Sequence, residues 1–407
     1  MKKWKIMILA LLLTGCGQFV QTASEKGTMD KIQKEEMTKE SQTEAVSEIE
    51  TEAEAETETE TEAEPQQIDL VMIGDMLMHM SVVNSGKKED GTYNYDHLYE
   101  HVKDRISGAD LAMVNQETIL GDDGKEYSGY PNFLSPTAVG DAEVKAGFDV
   151  ILQATNHALD QGAQGVINNI SFWKTTYPQI RYLGIHDSKE DQENSIYLYE
   201  KDGMKIAILN YTYGTNGINP PSDMPYLVDY LDENKVVDAI EQAEQMADFT
   251  IVCPHWGTEY NIGTDSYQEK WTSIFLEHGV DLVIGTHPHV IEPIEWVTRE
   301  DGKKMLVYYS LGNFINGTSS TGEVANRMVG GMAKVSIGRN SNGEVEILDY
   351  DIEAMICHIA DGTDFTVYPL CDYSEELARQ NKIRRQASNF SYEYCCNLTQ
   401  KVWGKEN

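Results

Sequence analysis

Short apolar runs recur along this chain, each ending in a cluster of carboxylate, amide or imidazole side chains. That recurrence constrains the fold more than any other feature. The clearest case is Asp281-Leu-Val-Ile-Gly-Thr-His287-Pro-His289-Val-Ile. Leu282 to Ile284 reads as a buried strand, and Gly285 stops it. Pro288 fixes its own φ and disfavours the α region at His287, which is predicted to be extended. Two imidazoles are then held on a stiff loop past the carboxyl end of a strand, where open α/β sheets place their ligands. Taken alone, the pair is equally compatible with two ordinary loop histidines.

The same pattern occurs at five more strand ends. Ile68 to Ile73 ends in Gly74-Asp75, with His79 four residues on. Leu111 to Val114 ends in Asn115-Gln116-Glu117, and Val150 to Leu152 leads to Asn156-His157-Ala-Leu-Asp160. Phe249 to Cys253 leads to His255-Trp-Gly-Thr-Glu259, and the strand from Met305 ends in Ser310-Leu-Gly-Asn313-Phe. A lone Asp after a strand is commonly a helix cap, and a lone His commonly sits satisfied in a core or loop. Together these groups form the ligand set that hard and borderline divalent metals use. One shared site at adjacent strand ends accounts for all six. Trp256 and Tyr260 flank the His255 motif and are placed to line a substrate groove or to pack in a core.

From Ile68 onward roughly 340 residues remain, enough for one large domain or two small ones. Helical spacing marks Asp96 to Ser107, Thr137 to Ala146, Gly165 to Trp173, Asp232 to Met246 and Tyr267 to His278. These alternate with the strands above and with Lys205 to Asn210, which predicts βα units around a mostly parallel sheet. Later, Met332 to Ile337 and Val345 to Ile352 flank the turn Asn340-Ser-Asn-Gly343, which predicts a hairpin. The stretch from Ser374 to the end is charged and partly helical in pattern.

The first residues read as an export signal. Lys2, Lys3 and Lys5 precede the apolar Ile6 to Leu13, which is too short to span a bilayer. Leu13-Thr14-Gly15-Cys16 resembles the lipobox of bacterial lipoproteins. That implies removal of residues 1–15, lipidation of Cys16 and an extracytoplasmic protein anchored to the cell membrane. Residues 16–67 are nearly devoid of apolar side chains, and Glu40 to Glu64 contains no Lys or Arg. Such a segment cannot offset its ordering entropy and is predicted to be a disordered acidic tether. At ~3.1 Å per residue it would reach on the order of 150 Å. The whole chain carries a formal charge of −35, from 67 acidic and 32 basic residues. Nucleic-acid binding is therefore excluded as an expectation, and an anionic substrate would need help from a cation such as a metal. After Cys16 five cysteines remain. Cys253 reads as a buried thiol, and a bridge from Cys371 to Cys395 or Cys396 is predicted.

Taken in order, Gly74-Asp75, Asn115-Gln-Glu117, Asn156-His157-Ala-Leu-Asp160, His255-Trp-Gly-Thr-Glu259, Gly285-Thr-His-Pro-His289 and Ser310-Leu-Gly-Asn-Phe314 resemble the motif series of the CapA family. These are poly-γ-glutamate capsule synthesis proteins and their relatives, which are similar to calcineurin-like metallophosphoesterases. The resemblance runs from about Ile68 to Phe314. It implies a four-layer α/β/β/α sandwich over residues 68–370, with residues 371–407 as a C-terminal extension. It also implies that Asp75, Glu117, Asn156, His255, His287 and His289 are metal ligands. His157 is implied as the histidine that protonates a leaving group or steadies the transition state. His79, Asp160, Glu259 and Asn313 are further candidates for metal or substrate contact. The superfamily has Asp-x-His where this chain spaces Asp75 and His79 four apart. Family members often have Asn-Asn-His where this chain has Thr155-Asn156-His157. Glu117 stands where a bridging aspartate is usual, which leaves open one divalent ion or two (Mn, Zn or Mg). Two ions ~4 Å apart would lower the pKa of a shared water and offset charge on a developing oxyanion.

The expected function is that of a surface lipoprotein acting in capsule biosynthesis, a metal-dependent hydrolase or transferase. Its substrate would be a cell-envelope polymer such as poly-γ-glutamate, or a phosphorylated precursor, with capsule synthase components as partners. The alternative is a non-catalytic assembly or export component for an anionic polymer.

Overall fold

The computed structural model of the protein describes residues 66–122, 124–317, 323–360 and 364–404. The predicted export signal, Cys16 and nearly all of the predicted tether lie outside them. No described helix is long and apolar enough to cross a membrane.

The strands form two sheets. Four strands begin the first: β1 (Gln67–Leu77), β2 (Leu111–Asn115), β3 (Val150–Leu152) and β4 (Arg181–Leu183), each parallel to the one before. The next six form the second: β5 (Tyr197–Lys201), β6 (Met204–Thr212), β7 (Phe249–His255), β8 (Leu282–Ile284), β9 (Ile294–Thr298) and β10 (Lys304–Tyr308). Their order is β5-β6-β7-β8-β10-β9, parallel at the centre with antiparallel strands at both edges. The chain then returns to the first sheet with β11 (Asn313–Asn316), β12 (Val329–Arg339), β13 (Val345–Ile359) and β14 (Phe365–Pro369). The predicted hairpin is β12–β13, and Gly343 supplies the positive φ of +84° that its turn needs.

Side-chain alternation on these strands builds three cores, and three cores make four layers. On β1, Ile68, Leu70 and Met72 face the second sheet. Val71 and Ile73 join the outer core, which also holds Val139, Ala142, Ile170 and Trp173 of the helices Ala138–Ala146 and Gly162–Thr176. On the second sheet, Ile206, Ile208, Ile251 and Ile284 join the central core. Ala207, Leu209, Val252 and Val283 pack outward on the helices Glu233–Met246 and Ser266–Glu277 through Val236, Ile240, Trp271 and Phe275. The architecture is the α/β/β/α sandwich expected. Both faces of each central strand are apolar, so alternation alone does not fix register. The polar strand ends set it: Asp75 pairs with Asn115 on one side and Asn313 on the other.

Several elements differ from expectation. Asp96 to Ser107 is not one helix but a 3₁₀ turn, Asp96–Tyr99, and a short helix, Lys103–Ser107. The strand from Met305 ends at Tyr308, and the chain bends at Gly312 (φ +63°) before β11. The helices Glu375–Gln380 and Tyr392–Trp403 pack on the first sheet's outer face, where Ala378, Cys395 and Leu398 enter the same core as β13 and β14. The predicted disulfide is absent, and all five described cysteines are free. Cys395 points into the core, while Cys371 Sγ lies 3.6 Å from Arg105 Nη2 and 3.7 Å from Glu353 Oε1.

Candidate metal centre

Strands β1, β2, β7 and β8 end at the same edge of the sandwich and deliver their polar residues to one buried cluster. Two glycines allow this. A Cβ on Gly74 would lie 1.9 Å from the Gly312 carbonyl oxygen, where Asp75 N–H donates at 2.9 Å. A Cβ on Gly285 would lie 2.1 Å from the Tyr309 carbonyl oxygen. Only glycine permits either approach.

The centre of the cluster is Glu117. Its Oε1 lies 3.8 Å from His255 Nε2 and 3.6 Å from His289 Nε2, between an imidazole at the end of β7 and one on the loop after β8. Neither carboxylate oxygen has a hydrogen-bond partner. His255 Nε2 also faces Asn156 Oδ1 at 3.0 Å, and its Nδ1 is fixed by Thr286 Oγ1 at 3.0 Å. His289 Nδ1 faces both Asp75 Oδ2 and Asn313 Oδ1, each at 3.1 Å. Asn115 Nδ2 donates to Asp75 Oδ1 at 2.9 Å. The His287 ring is 4.8 Å from that of His255 and 5.8 Å from that of His289, and its Nδ1 is without a partner. Among the described residues three donor triplets follow: Glu117, His255 and His287; Asp75, Glu117 and His289; Glu259, His287 and His289. Within each, the donor atoms lie within 4.8 Å of one another.

Burial dominates the electrostatics. It drives the Glu117 carboxyl well above the usual range against the opposing pull of His289, and Asp75, Glu259 and Asp160 add to the rise. It drives His255 and His287 well below theirs, helped by neighbouring imidazoles, so both stay neutral with a lone pair available. His289 goes the other way. Burial opposes its charge, but Glu117 and Asp75 outweigh it and lift the ring to about 9.

The histidine loop is strained. His287 and His289 have φ of +102° and +59°, and the nearby Tyr260 and Asn216 have +65° and +52°. Such conformations cost of order 1–3 kcal/mol each and persist where surrounding structure imposes them. Here Thr286 N–H donates to Pro254 O (3.0 Å), Tyr260 N–H to Pro288 O (2.7 Å) and Leu311 N–H to Gly285 O (3.0 Å). His287 is therefore not extended as predicted, because these bonds override the local preference before proline.

Beside the cluster lies a cleft of about 600 Å³ lined by His79, Tyr130, Phe133, His157, Tyr260, His289 and Arg327, among others. His157 Nδ1 lies 2.7 Å from Asp160 Oδ2 and donates to it, because a carboxylate only accepts. Asp160 also accepts from Phe133 N–H at 2.7 Å, so it orients His157 and joins none of the donor triplets. His79 lines the cleft edge-on to Phe133 and lies outside the triplets too; burial, with His289, His157 and Arg327, lowers it to about 4. Glu259 is exposed at the rim, and Asn313 backs His289. Trp256 is core, donating to Tyr309 O and stacking on Phe275, whereas Tyr260 faces the cleft. Sequence reasoning missed Thr286 and Asn115 as supporting groups, although both lie inside the quoted motifs. It also missed Tyr213, whose ring is 4.5 Å from that of His287, Asn216, whose Oδ1 accepts from Asn156 Nδ2 at 3.4 Å, and Arg327 in the cleft wall, all from stretches with no motif.

The family described as bacterial capsule synthesis protein PGA_cap matches residues 69–318. The capsule biosynthesis protein CapA of Bacillus anthracis is 27% identical over 259 residues, 61% of this chain and 60% of that protein. The chain thus spans about three fifths of that relative's length. The PGA biosynthesis protein CapA of Bacillus subtilis (strain 168) is 26% identical over 285 residues, 69% of this chain and 70% of that protein. Among solved structures, a phosphatase from Mycoplasma pneumoniae superposes with a TM-score of 0.44 at 15% identity, over 72% of this chain and 94% of that one.

Proposed function

The chain belongs to the bacterial capsule synthesis protein PGA_cap family, and from that premise we propose that it is a metal-dependent hydrolase or transferase. Its substrate is a cell-envelope polymer such as poly-γ-glutamate, or the phosphorylated precursor of one. The observation that carries this reading is Glu117, a buried carboxyl group with no hydrogen bond to either oxygen, set between two imidazole nitrogens. Buried polar groups are hydrogen-bonded or bind metals, and neither oxygen here has a hydrogen-bonding partner.

Asp75, Glu117, Asn156, His255, His287 and His289 would hold one or two divalent ions, with Glu259 at the open side. When bound, such an ion lowers the pKa of a water and offsets charge on the substrate oxygen. The chain's own groups do the rest. Thr286 fixes the His255 ring, and Asn313 fixes His289, as outer partners of metal ligands do. Asp160 holds the Nδ1 proton of His157, which leaves Nε2 to carry a proton to or from a group in the cleft. Phe133 meets the His157 ring edge-on at 4.7 Å and limits its swing. On this reading the protein is lipid-anchored through Cys16 outside the cytoplasm and works beside capsule synthase components.

The test is metal analysis of wild type and His287→Ala after incubation with Mn²⁺, Zn²⁺ or Mg²⁺. It is paired with assays on a phosphodiester and a γ-glutamyl substrate before and after chelation. The expected result is metal in wild type, less in the variant, and turnover lost on chelation. Equal metal content in both proteins ends the metal reading. Metal without turnover of any polymer or precursor supports the assembly role instead.

A further inference from the structure

One wall of the cleft is not explained by metal binding. Arg327, in the 3₁₀ turn Asn326–Met328, lies among the lining residues with 4% of its surface exposed. Its guanidinium lies over the Tyr260 ring, 3.5 Å from the centroid. An arginine so stacked is drawn to the ring face and loses side-chain freedom before any ligand arrives. The platform is itself held: Tyr260 sits at φ +65°, and its N–H donates to Pro288 O at 2.7 Å. The Tyr260 ring is 6.0 Å from that of His289. The Arg327 backbone is tied to the same place. Its carbonyl accepts from Asn313 Nδ2 at 3.1 Å, and Asn313 Oδ1 lies 3.1 Å from His289 Nδ1. Backbone and side chain therefore both fix the guanidinium relative to the histidine loop. This cation stands in a chain of formal charge −35, and among the described residues no lysine lines the cleft.

The geometry points to Arg327, stacked on Tyr260, as the seat of an anionic group of the substrate, a carboxylate or a phosphate, next to the donor cluster. A guanidinium matches either anion with two parallel N–H bonds, which a lysine cannot do. The inference rests on the hydrolase reading for the meaning of the bound anion, but anion binding itself can be measured without turnover or metal.

The experiment is calorimetric titration of the full chain with inorganic phosphate and with glutarate, each with chelator and after Mn²⁺ loading. Wild type is expected to bind at least one of the two, and the tighter one identifies the group seated. Arg327→Gln should weaken that binding tenfold or more in both conditions at unchanged metal content and melting temperature. Arg327→Lys should fall between the two. Tyr260→Leu should weaken it severalfold, whereas Tyr260→Phe, which keeps the ring, should stay within twofold. Unchanged binding in Arg327→Gln, or no binding of either anion by wild type, overturns the inference. If wild type takes up no metal yet binds the anion through Arg327, the inference stands and the hydrolase reading falls.

Discussion

Glu117→Met should raise the stability of the metal-free protein and weaken its response to metal. Most buried side chains behave in the opposite way. Glu117 makes no hydrogen bond, and its distances of 3.6 and 3.8 Å to imidazole nitrogens are too long to count as ones. Removing it therefore breaks no hydrogen bond, and Asp75 still holds His289 at 3.1 Å. Each unsatisfied buried polar atom costs roughly 1–3 kcal/mol. Methionine fills a similar volume without either oxygen, so the gain should be about 2 kcal/mol. With an unfolding entropy of about 2.1 cal/mol/K per residue over roughly 340 residues, this corresponds to about 3 °C. With metal the order reverses. A ligand at 100 times its Kd adds about 2.7 kcal/mol to wild type, or about 4 °C, and far less to a variant with a weakened site. Differential scanning calorimetry in chelator and in Mn²⁺ reads both effects. A variant that melts well below wild type in chelator, or that gains the same shift from Mn²⁺, would show that Glu117 is a structural side chain.

His157→Ala should keep its metal and lose about 10²- to 10⁴-fold in rate. Asp160→Asn should cost roughly 10- to 100-fold by releasing the ring, again at full metal content by mass spectrometry. His186 lies 2.7 Å from Asp229 Oδ2 and 3.6 Å from Asp191 Oδ2; burial opposes its charge, but these carboxylates raise it to about 9. Its folded pKa lies above its unfolded one, so the stabilisation is full below pH ~6.5 and is lost as pH rises through about 9. The ceiling is roughly 3 kcal/mol, and His186→Gln should flatten urea-unfolding stability across that window. Gly285→Ala places a methyl 2.1 Å from the Tyr309 carbonyl oxygen and 2.4 Å from Trp256 Nε1. It should cost roughly 3 kcal/mol in urea unfolding, and wild-type stability there would refute the close approach.

Much of the site was legible because parallel strands buried on both faces read as apolar runs, so each polar residue that ends one stands out. Asp75, Glu117, His255 and the His287–His289 pair were found this way, and the structure brings them together. What was missed lacks that contrast. The edge strands β5 and β9 carry mixed sequences, because one side of each meets solvent. Arg327 reaches the cleft from a 3₁₀ turn, and Asn216 reaches Asn156 and His157 from a loop, along paths set by tertiary closure, which no local spacing encodes. The disulfide failed for a related reason: cysteine order gives no distance, and Cys395 and Cys371 serve different neighbours. The His287 conformation shows a local preference losing to several long-range hydrogen bonds.

The register of β1 also bears on when the site can exist. Asp75 is aligned with Asn313, and Gln67 to Ile73 pair with β12, so the first strand waits for nearly the last before its second edge is covered. Contacts so distant in sequence close late, after most loop entropy has been lost. A nascent chain carrying Asp75 and Glu117 therefore lacks His287, His289 and Asn313, and has no chelating geometry to offer. If the chain is exported before it folds, the cytoplasm has no opportunity to load it. The ion it carries would then be chosen by the compartment in which folding finishes, whatever the cluster's intrinsic preference among metals.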